Sequence, residues 1–240
     1  MLAFYDHEES EFYGLCVEEL LSRRPAIRRV HEFGAGSGRA MVSAIQRIDF
    51  QGRMRGFELD EISAASAREL IHQTGLTGRY EVCHGDFFTG LHPAEKRRCV
   101  VANPPYLPHP EERPAFPHLS GGHTGAGISK RILSAGFDTV LMMISSYADP
   151  CSVLAHARAC GYTLTSWMVL PLRMGAFSRR PHVRSRIDAM ARAGTAFVAG
   201  ERYLLAGGVW DRAGSGSGDQ SAMLSRVMAR FGAADRQPVS

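Results

Sequence analysis

The strongest constraint on this chain is an alternation. Short apolar runs, each of a strand's length, are separated by stretches with helical spacing. Residues 29–33 form the first run and pass directly into Gly34-Ala35-Gly36-Ser37-Gly38. Residues 39–48 follow, with Met41, Ala44, Ile45 and Ile48 on one helical face. Runs at 54–58, 80–84 and 99–102 read as the next three strands, with an Ala-rich helix over 61–73. Residues 138–145 are the most apolar segment, the pattern of a central strand covered on both faces. Asp149-Pro150 starts a helix, Asp as its cap and Pro at its first position, that runs to Cys160 before Gly161. Strands at 163–170 and 196–210 close the series without long helices of their own. The alternation predicts an α/β fold: a doubly wound, mostly parallel seven-stranded sheet with right-handed crossovers and an antiparallel edge strand.

A length of 240 residues suits one core, so residues 1–212 are expected to form a single domain. Within it, residues 1–28 are expected to cover the cofactor or substrate. Residues 213–219, rich in Gly and Ser, read as a flexible linker, and 220–240 as a short helix and tail. No apolar run reaches the ~18–20 residues of a membrane span, so no membrane association is expected. The acidic start lacks the basic and apolar segments of a signal peptide. Five cysteines form no CxxC pair, which points to a reducing cytoplasm. The net charge of +4 sets 28 basic residues against 24 acidic ones, a balance that does not by itself establish nucleic-acid binding.

The glycines between the first strand and helix permit positive φ and close approach of a ligand to the backbone. Taken singly, an acid beside them reads equally well as a solvated loop carboxylate. Three acids at successive strand ends read differently, because ligands bind at the carboxyl edge of such sheets. Glu58 ends the second strand, where a carboxylate accepts from ribose hydroxyls. Asp86 follows the third, placed to accept from an adenine amine, with Phe87 or Leu59 packing on the ring. Glu32 precedes Gly34 by two residues and is placed to meet a positively charged amine. A dinucleotide site is the rival reading, but its glycine fingerprint is GxGxxG and here the spacing is GxGxG.

Asn103-Pro104-Pro105-Tyr106 directly follows the fourth strand. Two prolines fix φ and remove two N–H donors, which leaves a stiff turn rich in acceptors. The Asn103 side-chain oxygen, the Pro104 carbonyl and the Tyr106 ring suit a planar NH₂ group, with two acceptors for its hydrogens and an aromatic face for stacking.

In motif order and spacing over roughly residues 5 to 170, the sequence resembles the class I S-adenosylmethionine-dependent N-methyltransferases, a Rossmann-like family. The matching segments are Glu32-x-Gly34-x-Gly36-x-Gly38, the acid at 58, Gly85-Asp86-Phe87 and Asn103-Pro104-Pro105-Tyr106. The release-factor glutamine methyltransferases are closest in style, since Leu119-Ser120-Gly121-Gly122-His123-Thr124-Gly125 also resembles their segment after the Asn-Pro-Pro-Tyr loop. Those enzymes carry a helical N-terminal recognition domain, in place of which this sequence has residues 1–28. Adenine-specific methyltransferases share the tetrapeptide.

The resemblance implies S-adenosyl-L-methionine as cofactor, with Gly34, Gly36 and Gly38 along its methionine part. Glu32 would then face its amino group, Glu58 its ribose, and Asp86, Leu59 and Phe87 its adenine, with Asn103 also counted among the cofactor-binding residues. It implies catalytic roles for Asn103 and Pro104, which would hold the acceptor nitrogen, and for Tyr106, which would pack on the acceptor plane beside Pro105. Methyl transfer is an in-line displacement, and positioning contributes ~7–11 kcal/mol to such a step. No metal is needed, and His109, His118 and His123 fit no usual ligand spacing.

Arg173, Arg179, Arg180, Arg184 and Arg186 lie within fourteen residues that contain no acid. The segment reads as a loop between the last two strands, and Arg179 and Arg180 are candidates for holding a phosphate or a carboxylate-bearing substrate; the bland alternative is a solvated helix face. The expected acceptor is a planar nitrogen on a small metabolite or protein side chain. The alternatives are the exocyclic amine of adenine in RNA or DNA and a catalytically silent cofactor-binding module. The sequence leaves the oligomeric state open.

Overall fold

A computed structural model of the chain describes residues 7–91, 99–109, 120–212 and 218–233. The elements in order are α1 (His7–Arg23), β1 (Arg29–Phe33), α2 (Arg39–Arg47), β2 (Arg53–Glu58), α3 (Glu61–Gln73), β3 (Tyr80–His84), α4 (Phe87–Gly90), β4 (Cys99–Ala102), α5 (Gly127–Ser134), β5 (Thr139–Ser145), α6 (Pro150–Ala159), β6 (Tyr162–Arg173), α7 (Pro181–Arg192), β7 (Arg202–Arg212) and α8 (Ser221–Ala233). The strands form one seven-stranded sheet in the order β3-β2-β1-β4-β5-β7-β6. β3, β2, β1, β4 and β5 pair in parallel, whereas β6 and β7 are antiparallel. The doubly wound, mostly parallel sheet with an antiparallel edge is therefore the observed fold. The order turns back between β1 and β4, the place where such sheets open a crevice at their carboxyl ends.

The chain divides into two compact units. The first is Met1–Asn103 with Phe137–Met142, and the second is Pro104–Gly136 with Met143–Ser240. In the first, α1 buries Phe12, Tyr13, Cys16, Val17, Leu20 and Leu21, a stripe at helical spacing. α1 approaches α2 closely at Gly14, where a Cβ would stand 3.4 Å from the Ala40 carbonyl oxygen. All seven residues of β5 are buried, which explains its unbroken apolar sequence.

In the second unit, Asp149 caps α6 as its sequence predicts, accepting from Ser152 N. α8 buries Leu224 and Met228, and Gln220 Nε2 donates to the Thr165 carbonyl at 2.7 Å. Two expectations are corrected here. The 173–186 segment is not loop throughout, because its second half begins the twelve-residue α7. Val183, Ile187 and Met190 form that helix's buried stripe and Pro181 opens it, signals obscured by the surrounding arginines. The last strand begins at Arg202 rather than at residue 196. Residues 110–119, His118 among them, lie outside the described residues, as do residues 213–217 of the linker and 234–240 of the tail. No helix among the described residues is long and apolar enough to cross a membrane, and all five cysteines are free thiols.

Candidate functional site

The first unit gathers the glycine turn and the acids at the carboxyl ends of β1, β2 and β3. Gly34, Gly36 and Gly38 all have left-handed φ, at 69°, 54° and 75°. At Gly34 and Gly36 a Cβ would meet nothing within 4 Å, so open space lies above that backbone. Gly38 differs: its Cβ would stand 3.1 Å from that of Ala67, so its smallness lets α3 approach the start of α2. Gly34 N and Ala35 N both donate to the Phe57 carbonyl, which anchors the turn to β2.

Glu58 closes the other side of the turn. Its carboxylate accepts from Gly36 N at 2.8 Å and Asp60 N at 2.9 Å, and it is half-buried. Asp60 in turn caps α3 through Ser63 N. Asp86 stands at the end of β3 and caps α4, Oδ1 accepting from Thr89 N at 2.9 Å. Leu59 is 64% exposed beside Glu58, whereas Phe87 is core, ringed by Phe33, Phe57 and Phe137. Of the two apolar residues expected beside a base, only Leu59 offers a surface.

Glu32 lies in the interior at 1% exposure. The Tyr13 hydroxyl donates to its Oε1 at 3.3 Å, and the Tyr80 hydroxyl makes a short bond to its Oε2. Burial pushes the Glu32 carboxyl up to about 8, against the opposing pull of the two hydroxyls and with Glu58 adding repulsion. Burial and the adjacent carboxyl likewise drive both tyrosines well above their ordinary range. Gly56 leaves room for this arrangement, since a Cβ there would crowd Ala35 Cβ at 3.0 Å and Glu32 Oε2 at 3.2 Å. Tyr13 and Tyr80 escaped sequence reasoning, because nothing local marks two residues 67 positions apart as partners of one acid.

β4 is in register with β1, Ala102 opposite Phe33. Asn103 and Gly34 therefore leave neighbouring strands side by side, where strands lie about 5 Å apart. Asn103 Oδ1 is buried without a hydrogen-bond partner among the described residues. An unsatisfied buried carbonyl is costly, so this oxygen is poised for an incoming N–H.

The second unit begins at Pro104 and builds an aromatic cluster. Tyr106 is buried, with its ring centroid 5.7 Å from that of Tyr147 and its hydroxyl 3.4 Å from that of Tyr203. Tyr147 and Tyr203 stand 4.8 Å apart. The glycines at 121–125 pin the loop: Gly121 N donates to the Leu107 carbonyl and His109 N to that of Gly122. At Gly125 a Cβ would fall 2.4 Å from the Tyr106 carbonyl oxygen. The arginine stretch lies against this loop. His182 of α7 is 5.5 Å from the His109 ring, and Arg186 Nε donates to the His123 carbonyl at 3.2 Å. Arg179 is exposed, and Arg180 stacks over Phe177 at 4.9 Å. Among the described residues no group of three or more His, Cys, Asp or Glu side chains is arranged to hold a metal.

No protein-family model matches the chain. It is 35% identical over 83 residues to a tRNA1(Val) (adenine(37)-N6)-methyltransferase of Klebsiella pneumoniae, a match covering 34% of each chain. It is 32% identical over 108 residues to a release factor glutamine methyltransferase of Neisseria gonorrhoeae, covering 44% of this chain and 36% of that one. These matches thus span about a third of the relatives' length. Among solved structures, the N-terminal domain of human METTL16 in complex with SAH superposes with a TM-score of 0.54 at 13% identity, covering 88% of this chain and 73% of that one. At that identity the likeness shows the fold.

Proposed function

We propose that this chain is an S-adenosylmethionine-dependent N-methyltransferase whose acceptor is a planar, amide- or amine-like nitrogen. The observation that carries the reading is the orphaned Asn103 Oδ1, emerging beside the glycine turn at the switch point of the sheet. Support comes also from two partial relatives, one named as a tRNA adenine N6-methyltransferase and one as a release factor glutamine methyltransferase, and from the fold shared with an SAH-bound domain.

The first-unit residues fit the cofactor chemically. The open backbone over Gly34 and Gly36 admits the methionine part, and Glu58 keeps lone pairs for ribose hydroxyls. Asp86 stands at the next strand end for the adenine amine. When bound, the sulfonium supplies an electrophilic methyl group. Asn103 Oδ1 and the Pro104 carbonyl accept from the two hydrogens of the acceptor NH₂, with Tyr106 packing on its plane beside Pro105. Both bonds strengthen as positive charge builds on nitrogen, and the proton departs afterwards.

The adenine reading gains one specific observation over the compact metabolite: the arginine-rich stretch meets the loop that follows Tyr106, through His182 against His109 and Arg186 on the His123 carbonyl, with Arg179 exposed on the same stretch. Such a surface suits a phosphodiester backbone. The test is transfer of labelled methyl groups from S-adenosylmethionine to three acceptors: an adenine-bearing RNA, a glutamine-bearing peptide and a small primary amide. Transfer to the RNA with strong salt dependence is expected. No transfer to any acceptor, with no binding of S-adenosylmethionine, would overturn the proposal.

A further inference from the structure

At the amino-terminal ends of β1 and β2, the opposite edge from the glycine turn, Arg28, Arg29, Gln51, Gly52 and Arg53 line a cavity of about 400 Å³. Arg29 and Arg53 are register partners on neighbouring parallel strands. Two like charges therefore leave the sheet side by side, an arrangement that costs stability unless something neutralises it. Three other arginines of this unit have carboxylates: Arg23 pairs with Glu19, Arg47 with Glu18 and Arg79 with Asp49. Arg28, Arg29 and Arg53 are exposed and make no ion pair among the described residues. The nearby Asp49 is already engaged by Arg79. Gly52 contributes bare backbone to the cavity; a Cβ there would fall 2.3 Å from Phe50 Cζ and 2.6 Å from the Arg28 carbonyl oxygen.

We propose that this cavity binds a phosphate group through the guanidinium groups of Arg28, Arg29 and Arg53. A carboxylate has two oxygens to share. A phosphate offers an additional oxygen and greater charge, and so can engage all three planar forks. The five residues of β1, at about 3.3 Å each, put the cavity ~15 Å from the glycine turn. It is thus a separate anion site and does not rest on the methyl-transfer reading. The phosphate is either free, as in inorganic pyrophosphate, or carried on a polynucleotide backbone, where adjacent phosphodiesters, each with two unesterified oxygens, together engage the three guanidinium groups.

The test uses the intact chain and two probes. Pyrophosphate is titrated by calorimetry, and a fluorescent oligouridylate, which contains no adenine, is titrated by anisotropy at several salt concentrations. The triple variant Arg28→Gln, Arg29→Gln, Arg53→Gln is compared with a control of equal charge, Arg68→Gln, Arg226→Gln, Arg230→Gln. The cavity variant is expected to weaken pyrophosphate binding by about tenfold or more, and the control by no more than about twofold. If oligouridylate binding also weakens and its salt slope falls by about two to three, the phosphate is a backbone phosphate. If only pyrophosphate binding weakens, it belongs to a small molecule. Removal of the in-register repulsion predicts that the triple variant melts no lower than wild type. Arg29→Gln alone, which disturbs the fold less, should give a partial loss. Absence of binding by both probes, or equal losses in the control and cavity variants, would overturn the proposal.

Discussion

The carboxyl edge of the first unit and the tyrosine cluster of the second hold their polar groups by different means. Around the glycine turn the main chain does the holding: Glu58 is pinned by the amides of Gly36 and Asp60, and the turn itself by the Phe57 carbonyl. Around Tyr106 the holding is by rings, with Tyr147 and Tyr203 packed on it and a loose 3.4 Å contact between hydroxyls. Main-chain geometry tolerates little substitution, because positive φ excludes most side chains. Ring packing tolerates loss of a hydroxyl if the shape is kept. The two regions should therefore respond very differently to small changes.

The largest effect is expected at Gly36→Val. A β-branched residue at φ 54° is strained, and its side chain enters the open space above the turn. Calorimetry with SAH should show affinity reduced about 100-fold or more, the equivalent of ~3 kcal/mol. Gly38→Val, by contrast, should chiefly reduce melting temperature, because its side chain strikes Ala67. Equal effects of the two on affinity would erase the distinction between an open and a packed glycine.

Glu32 supplies the next test. Its carboxyl stands at about 8 in the folded chain against an ordinary 4.5, so between those values the folded state holds a proton that the unfolded state has released. Stability contributed by this group must then fall as pH rises through that window. Glu32→Gln should flatten the decline in melting temperature between pH 5 and pH 8. If the decline is unchanged in the variant, burial does not keep the acid neutral. The role the sequence resemblance implies for Glu32, facing the cofactor's ammonium, predicts that binding near pH 7 releases a proton, since a nearby cation favours the ionised form. Titrations in buffers of different ionisation enthalpy measure that release.

Tyr203→Phe should have the smallest effect. Loss of a long hydroxyl contact costs ~0.5–1.5 kcal/mol of stability at most. SAH affinity should be unchanged, since the first unit is held by its own main chain. A large loss of affinity in Tyr203→Phe would break the comparison between the two regions.

The same contrast governs what could be read from residues alone. β1, α3, β3 and β4 have the limits their periodicity predicts, and Asp149 caps α6, because strands, caps and glycine turns are encoded within a few residues. α7 was hidden because its Val183, Ile187 and Met190 stripe is thin and its arginines resemble a solvated loop. The clasp of Tyr13 and Tyr80 on Glu32 and the meeting of Tyr106 with Tyr203 depend on sheet order and helix packing, which no local pattern records. The role of Gly125, flush against the Tyr106 carbonyl, is likewise visible only when the loop is closed.

The central claim is that Asn103 Oδ1 awaits an acceptor N–H while the glycine turn, Glu58 and Asp86 hold the cofactor. Asn103→Ala tests it most directly, with SAH affinity and methyl transfer measured on the same preparation. Affinity is expected to stay within about threefold of wild type while turnover falls ~100-fold or more. Unchanged turnover, or parallel losses of affinity and turnover, would contradict it.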